Sequence, residues 1–394
     1  MRIMLVGDCI VQAETKPTLL LKEVIKSCDL VIGNIETLFH GSSAFPEHYY
    51  GQGCPMTSDP CNISTLINYK MHLASHANNH TNDYGVEGLL QSIDSLSRHG
   101  IHVAGVGLDS RDASSMRLSV TASGSIGLLA STSSYAHWGS ATQTNNFTNG
   151  RPGVLGLRAK AKPSLFLCKG IRKTIDKLGV KHDTINRLLA FGDYWLDVED
   201  IWAIMDQIGN ERKKFNGLLV YSHHSHKGFP EYAPGFLRHF AHDCIDAGVD
   251  IFFSHGTHQL RGIEIYKGKP ILYGLGNFIS QSQEVSSYPE DYLKKIGMSG
   301  RDVISVQHKI RSGIFDKTSW WESIGILIET NNRDLLKVQL LPLDLFGEGR
   351  DLGLPKVARD DKASVILERL MILSKKYKTK FEHNSAGLFL AGVS

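Results

Sequence analysis

The chain has 394 residues, 42% of them hydrophobic, with 43 basic side chains against 40 acidic ones. That length and apolar content support one large or two ordinary domains around a sizeable core and exclude a disordered chain. The near balance of charge, +3 overall, leaves no global field pointing to nucleic acid or an anionic membrane, and no stretch approaches the roughly 18 uninterrupted apolar residues of a membrane span.

The apolar run after Met1 ends at Gly7, too soon for a signal-peptide core, so the sequence as written predicts a cytoplasmic protein. Residues 2–6 read as a first strand with Gly7-Asp8 at its carboxyl end, and residues 19–27 have helical spacing. Residues 30–33 form a second strand leading into Asn34-Ile35-Glu36, and residues 71–74 a third ending at Ser75-His76-Ala77-Asn78-Asn79-His80. Residues 85–99 follow as an amphipathic helix with Leu89, Ile93 and Leu96 on one face. Residues 102–106 and 125–130 predict further strands. From about 135 to 215 the sequence turns to loops rich in Asn, Thr and Gly and then to basic helical segments such as 169–178, which predicts an insertion capping the cleft. The basic residues of 160–181 then serve as a solvated helix face or as a lid for an acidic substrate. Strands return at 217–222, 250–254, 270–274, 323–329 and 335–343, with a helix at 234–247. This is an α/β order, and paired sheets of this kind give a sandwich with helices outside.

Six cysteines, Cys9, Cys28, Cys54, Cys61, Cys168 and Cys244, show no metal-type pairing and read as buried or half-buried thiols. The polar residues are more informative. Asp8, Glu36, Asn79-His80, His223 and His255/His258 each fall just past a predicted strand end, where α/β sheets place their ligands. Carboxylates and imidazoles in this mixture suit Mn, Fe or Zn rather than calcium. His72, His76, His99 and His102 lie in or beside core elements and read as structural, Asn34 and Asn78 as turn residues, and Trp195, Trp202, Trp320 and Trp321 as core or interface anchors.

The stretches Gly7-Asp8, Asn34-Ile35-Glu36, Ala77-Asn78-Asn79-His80 with Asp83-Tyr84-Gly85, 220–223, and 254–264 running on to Tyr273-Gly274-Leu275-Gly276-Asn277-Phe278 resemble the CapA-type poly-gamma-glutamate synthesis proteins. That family belongs to the calcineurin-like metallophosphoesterase superfamily. The resemblance covers roughly 1–134 and 217–280 and implies a metallophosphoesterase-like αββα sandwich. It implies that Asp8 binds a first metal, that Glu36 bridges two, that Asn79 and His223 complete the second site, and that His258 returns to the first. His80 becomes a second-sphere acid oriented by Asp83. Two cations about 3.5 to 4 Å apart require such an anionic bridge. The chain departs from the superfamily in having Ile10 where a histidine is usual, and Gly256-Thr257-His258 in place of His-Pro-His, a gap that His255 can fill, so the expectation is one or two divalent ions. His224 and His226 are extra imidazoles that can ligate, shuttle protons, bind an anion or serve as ordinary loop residues.

The resulting expectation is a metal-dependent hydrolase in which a metal-bound hydroxide attacks a phosphoester or an amide of an acidic, gamma-glutamyl-type substrate. Its rivals are a non-catalytic accessory protein of polymer or peptide biosynthesis and a metal-assisted ligase or lyase.

Overall fold

The computed structural model describes residues 1–41, 43–47, 53–161, 194–228, 231–315, 318–385 and 387–393. The basic segment at 169–178 and Cys168 lie outside the described residues.

The strand Arg2–Ile10 is buried on both faces along almost its whole length, as a central parallel strand rich in branched apolar residues should be. On one side it pairs in parallel with Leu30–Ile35, which leads through Leu73–Ser75 to His102–Ala104. On the other side it pairs antiparallel with Glu322–Asn331, and the sheet continues through Asp334–Asp344 to the hairpin Phe381–Asn384/Gly387–Leu390. The short strand Asn277–Ser280 lies parallel to the carboxyl end of Arg2–Ile10. A second, six-stranded sheet runs in the order Ile263–Tyr266, Lys269–Leu272, Ile251–His255, Leu218–His224, Gly124–Thr132, Arg117–Thr121.

Alternation along the second sheet builds the layers. Ile126, Leu128, Leu218, Val220, Ile251 and Phe253 join one core with Ile3, Leu5 and Ile32 of the first sheet. Leu129, Leu219, Tyr221 and Phe252 face the other way, onto helices Val198–Lys214 and Gly235–Ala247 through Ile204, Ile208, Phe236 and Phe240. Leu21 and Ile25, and Leu89 and Leu96, bring helices Leu19–Lys26 and Gly85–Arg98 into the shared core from the first sheet's side, and Ile366 and Leu370 bring in helix Asp360–Ser374, which also meets the second sheet at Ile263. The order is helix, sheet, sheet, helix: an αββα sandwich.

Two differences from the sequence reading bear on the site. Helix Val198–Lys214, capped by Asp197 accepting from the Glu199 and Asp200 amides, belongs to the outer helical layer rather than to a cap. The strand expected at 217–222 runs on to His224, paired through His223↔Ser131 and His224↔Thr132. In the rest of the 135–215 stretch, the described residues include the short strands Gly153–Val154, Ala159–Ala161 and Tyr194–Leu196.

Candidate metal centre

Asp8 owes its aim to an irregular strand end. The register shifts on both sides of it, between Leu5 and Asp8 towards Leu30–Ile35 and between Asp8 and Cys9 towards Asn277–Ser280, and such bulges re-aim a side chain. A Cβ at Gly7 would stand 1.9 Å from the Gly276 carbonyl oxygen, so glycine is what lets the 274–277 segment close over this end and accept the Asp8 amide at 3.1 Å. The Asn34 amide group donates to Asp8 Oδ1 at 2.9 Å and to Glu36 Oε1 at 3.2 Å, tying the two carboxylates together. Asn78 holds Asn34 in place, its Nδ2 donating to Asn34 Oδ1 at 3.2 Å. The two asparagines read as turn residues are therefore the scaffold of the acidic pair.

Imidazoles close the cluster from the second sheet. His258, at φ +56, places Nδ1 2.9 Å from Asn277 Oδ1 and 3.3 Å from Asp8 Oδ2, with Nε2 3.8 Å from Glu36 Oε2. The Asn277 amide donates to the Trp320 carbonyl at 3.3 Å, so its Oδ1 is the face turned to the ring, and Nε2 is left for a ligand. Trp320 also packs its ring 4.6 Å from that of His258. His255 Nδ1 lies 3.2 Å from Asp8 Oδ1, and His224 Nε2 lies 3.2 Å from Glu36 Oε1. Ligand atoms of Asp8, Glu36 and His258 all fall within 4.8 Å of one another.

A divalent ion fits this donor set. Glu36 Oε2, His224 Nε2 and His255 Nε2 are buried atoms without a hydrogen-bond partner among the described residues, each a cost of about 1–3 kcal/mol unless something binds it. The charges carry the same signature. Burial, then the neighbouring charge of Asp8, pushes the Glu36 carboxyl up. Burial would raise Asp8 too, but its contacts with His255 and His258 hold it well below the usual carboxylate range. Burial opposes protonation of His258, yet Glu36 and Asp8 lift it to about 9. Burial drives His224 well below its ordinary value, keeping the neutral, lone-pair-bearing form that metals bind.

Of the predicted residues, Asp8, Glu36, His255 and His258 come together. Asn79 stands at the rim, its Oδ1 3.1 Å from His226 Nε2. His80 and Asp83 are paired, Nδ1 to Oδ2 at 2.6 Å, with the Met56 amide on the same oxygen at 2.7 Å. Burial works against a charged His80, but the Asp83 carboxylate raises it above its ordinary value. His223 is the correction. It projects from the opposite face of Leu218–His224, Nδ1 2.9 Å from Ser131 Oγ and Nε2 3.2 Å from Ser133 Oγ, with its ring against Phe240. Tyr221 donates to Ser131 and Ser133 donates to Ser225, so a hydroxyl relay commits both nitrogens. Its neighbour His224, one residue on and therefore on the inner face, takes the place expected of His223.

The family described as Bacterial capsule synthesis protein PGA_cap matches the chain over residues 3–282. An "Uncharacterized protein" of Sinorhizobium fredii is 29% identical over 91% of this chain and 85% of its own length. A "Probable polyglutamine synthesis accessory protein" of Mycobacterium tuberculosis is 26% identical over 66% of this chain and 58% of its own. The "PGA biosynthesis protein CapA" of Bacillus subtilis is 22% identical over 72% and 62%.

Proposed function

Since the chain belongs to the bacterial capsule synthesis protein PGA_cap family, we propose that it is a divalent-metal-dependent hydrolase acting on an amide or phosphoester of an acidic, gamma-glutamyl-type substrate. The observation that carries this reading is the buried convergence of Asp8, Glu36 and His258 within 4.8 Å, with unpartnered nitrogens of His224 and His255 beside it. Asp8, Glu36 and His258 would hold the ion, with His224 and His255 as the nearest further donors, a set suited to Mn, Fe or Zn. Such an ion, when bound, polarises the substrate oxygen and lowers the pKa of a water.

The chain's own residues supply the rest. Asn34 fixes the two carboxylates in one orientation. Asp83 holds the proton-bearing Nδ1 of His80, which leaves Nε2 to give a proton to the departing amine or alcohol as the bond to water forms and the scissile bond breaks. The printed names of the relatives, polyglutamine synthesis and PGA biosynthesis, support an acidic or peptide-like substrate class.

The test is elemental analysis of purified protein joined to turnover of gamma-glutamyl amides and of phosphoesters in ¹⁸O-labelled water. The proposal expects bound Mn, Fe or Zn, label in the acid product, and loss of both in Asp8→Asn. Product without label would indicate a ligase or lyase. A metal-free protein without turnover would favour the accessory role.

A further inference from the structure

Residues 375–380 read Lys-Lys-Tyr-Lys-Thr-Lys. Beside them lies a groove of about 210 Å³, lined in part by Ile265, Tyr377, Lys378, Thr379 and Lys380, in which no described lining residue is acidic. The Lys376 ammonium sits 4.9 Å over the ring of Tyr232 and 4.7 Å over that of Tyr377. Its charged neighbours are Arg261, Arg238 and a single carboxylate, Glu264. Glu264 is already engaged by Arg238 at 2.7 and 3.1 Å and by the Tyr273 hydroxyl at 2.7 Å, so like charge dominates around Lys376. Burial and the two guanidinium groups accordingly lower it to about 8. A surplus of cations over carboxylates is the complement of a polyanionic ligand.

The strip is physically joined to the metal centre. The chain running on from His258 places Ile263 N on Ser374 Oγ at 2.9 Å, and Arg261, fully buried, donates to the Lys227 carbonyl at 3.2 Å. Ile265, which lines the groove, is seven residues on from His258, at most ~25 Å of extended chain, within the reach of a gamma-linked hexapeptide, whose backbone carries two more carbon atoms per residue. The Tyr377 ring already carries Tyr273 stacked at 4.9 Å and the Lys376 ammonium at 4.7 Å, which disfavours base stacking and hence nucleic acid.

We infer that this lysine-lined groove binds the distal carboxylates of an acidic peptide whose reacting bond lies at Asp8, Glu36 and His258, an inference that rests on the hydrolase reading above. It is tested on the full chain by fluorescence anisotropy with a labelled gamma-linked hexaglutamate. Lys376→Gln, Lys378→Gln and Lys380→Gln combined should weaken binding about tenfold or more, while metal content and turnover of a single gamma-glutamyl amide stay at wild-type values. The corresponding triple Lys→Arg variant should bind as wild type, and inorganic phosphate should not displace the peptide. Unchanged affinity in the Gln variant overturns the inference, as does stronger competition by a single-stranded oligonucleotide of equal charge. Failure of the hydrolase reading leaves a different trace: no turnover, with the lysine-dependent affinity intact.

Discussion

His223 and His224 leave one strand on opposite faces, and the two environments differ in a way that separates a structural histidine from a functional one. On the outer face both ring nitrogens of His223 have partners, Ser131 and Ser133, backed by Tyr221 and Ser225 in a relay among aromatic rings, and burial lowers the ring's pKa to about 3. On the inner face Asp8, Glu36, His224, His255 and His258 crowd together with four buried atoms that have no hydrogen-bond partner among the described residues. Both regions are equally buried. What differs is satisfaction: both nitrogens of His223 are partnered as they stand, whereas the inner cluster leaves buried donor atoms over that a cation would bind.

Substitutions should expose that contrast, beginning with Glu36→Gln. It removes the charge the cluster is built around, so bound metal and turnover should fall by at least ~100-fold, the scale reached by loss of even an outer-sphere partner, as read by elemental analysis and initial rates. His224→Ala should likewise lose metal, whereas His223→Ala should keep it and instead lose about 2–4 kcal/mol of stability to the cavity and the orphaned hydroxyls. Urea titration and metal content measured on the same two samples would separate them, and metal loss confined to His223→Ala would reverse the assignment of the two faces. Asn277→Leu leaves His258 in place but frees its ring, so metal affinity should drop about 10- to 100-fold with little change in the unfolding midpoint of the chelated protein.

The smallest effect concerns pH. His76 is fully buried, Nδ1 2.8 Å from the Ile35 carbonyl, and burial lowers its pKa to about 4. The unfolded chain binds the proton more readily, so this histidine's share of stability is whole above about pH 6.5 and is lost as pH falls towards 4. Between pH 7.5 and 5 the chelated protein should lose about 2 kcal/mol through His76. His76→Asn should flatten the urea-midpoint profile by that amount, and an unchanged slope would contradict the assignment.

Much of the sandwich could be read from the chain because its parallel strands are apolar runs bounded by polar turns. Asp8, Glu36 and His258 were visible because each follows such a run. The His223 assignment slipped by one residue for a physical reason. A strand buried on both faces, Leu218-Leu219-Val220-Tyr221, shows no alternation of polarity to say which side faces the cleft, and its ladder outlasts the apolar run that marked its apparent end. The roles of Asn34, Asn78 and Asn277 depend on carboxylates and rings brought in from distant segments, which no local pattern announces. Helix Val198–Lys214 carries a charged outer surface that blends with the polar insertion before it, and only packing of Ile204 and Ile208 against Phe240 shows its layer.

Anomalous diffraction at the manganese edge from crystals soaked in Mn²⁺ tests the central assignment most directly. The account predicts a peak within coordination distance, about 2.0–2.3 Å, of the Glu36 carboxylate, with Asp8, His258 and His224 as companions. A peak at the Ser131–His223–Ser133 relay, or none between Asp8 and Glu36, would contradict it.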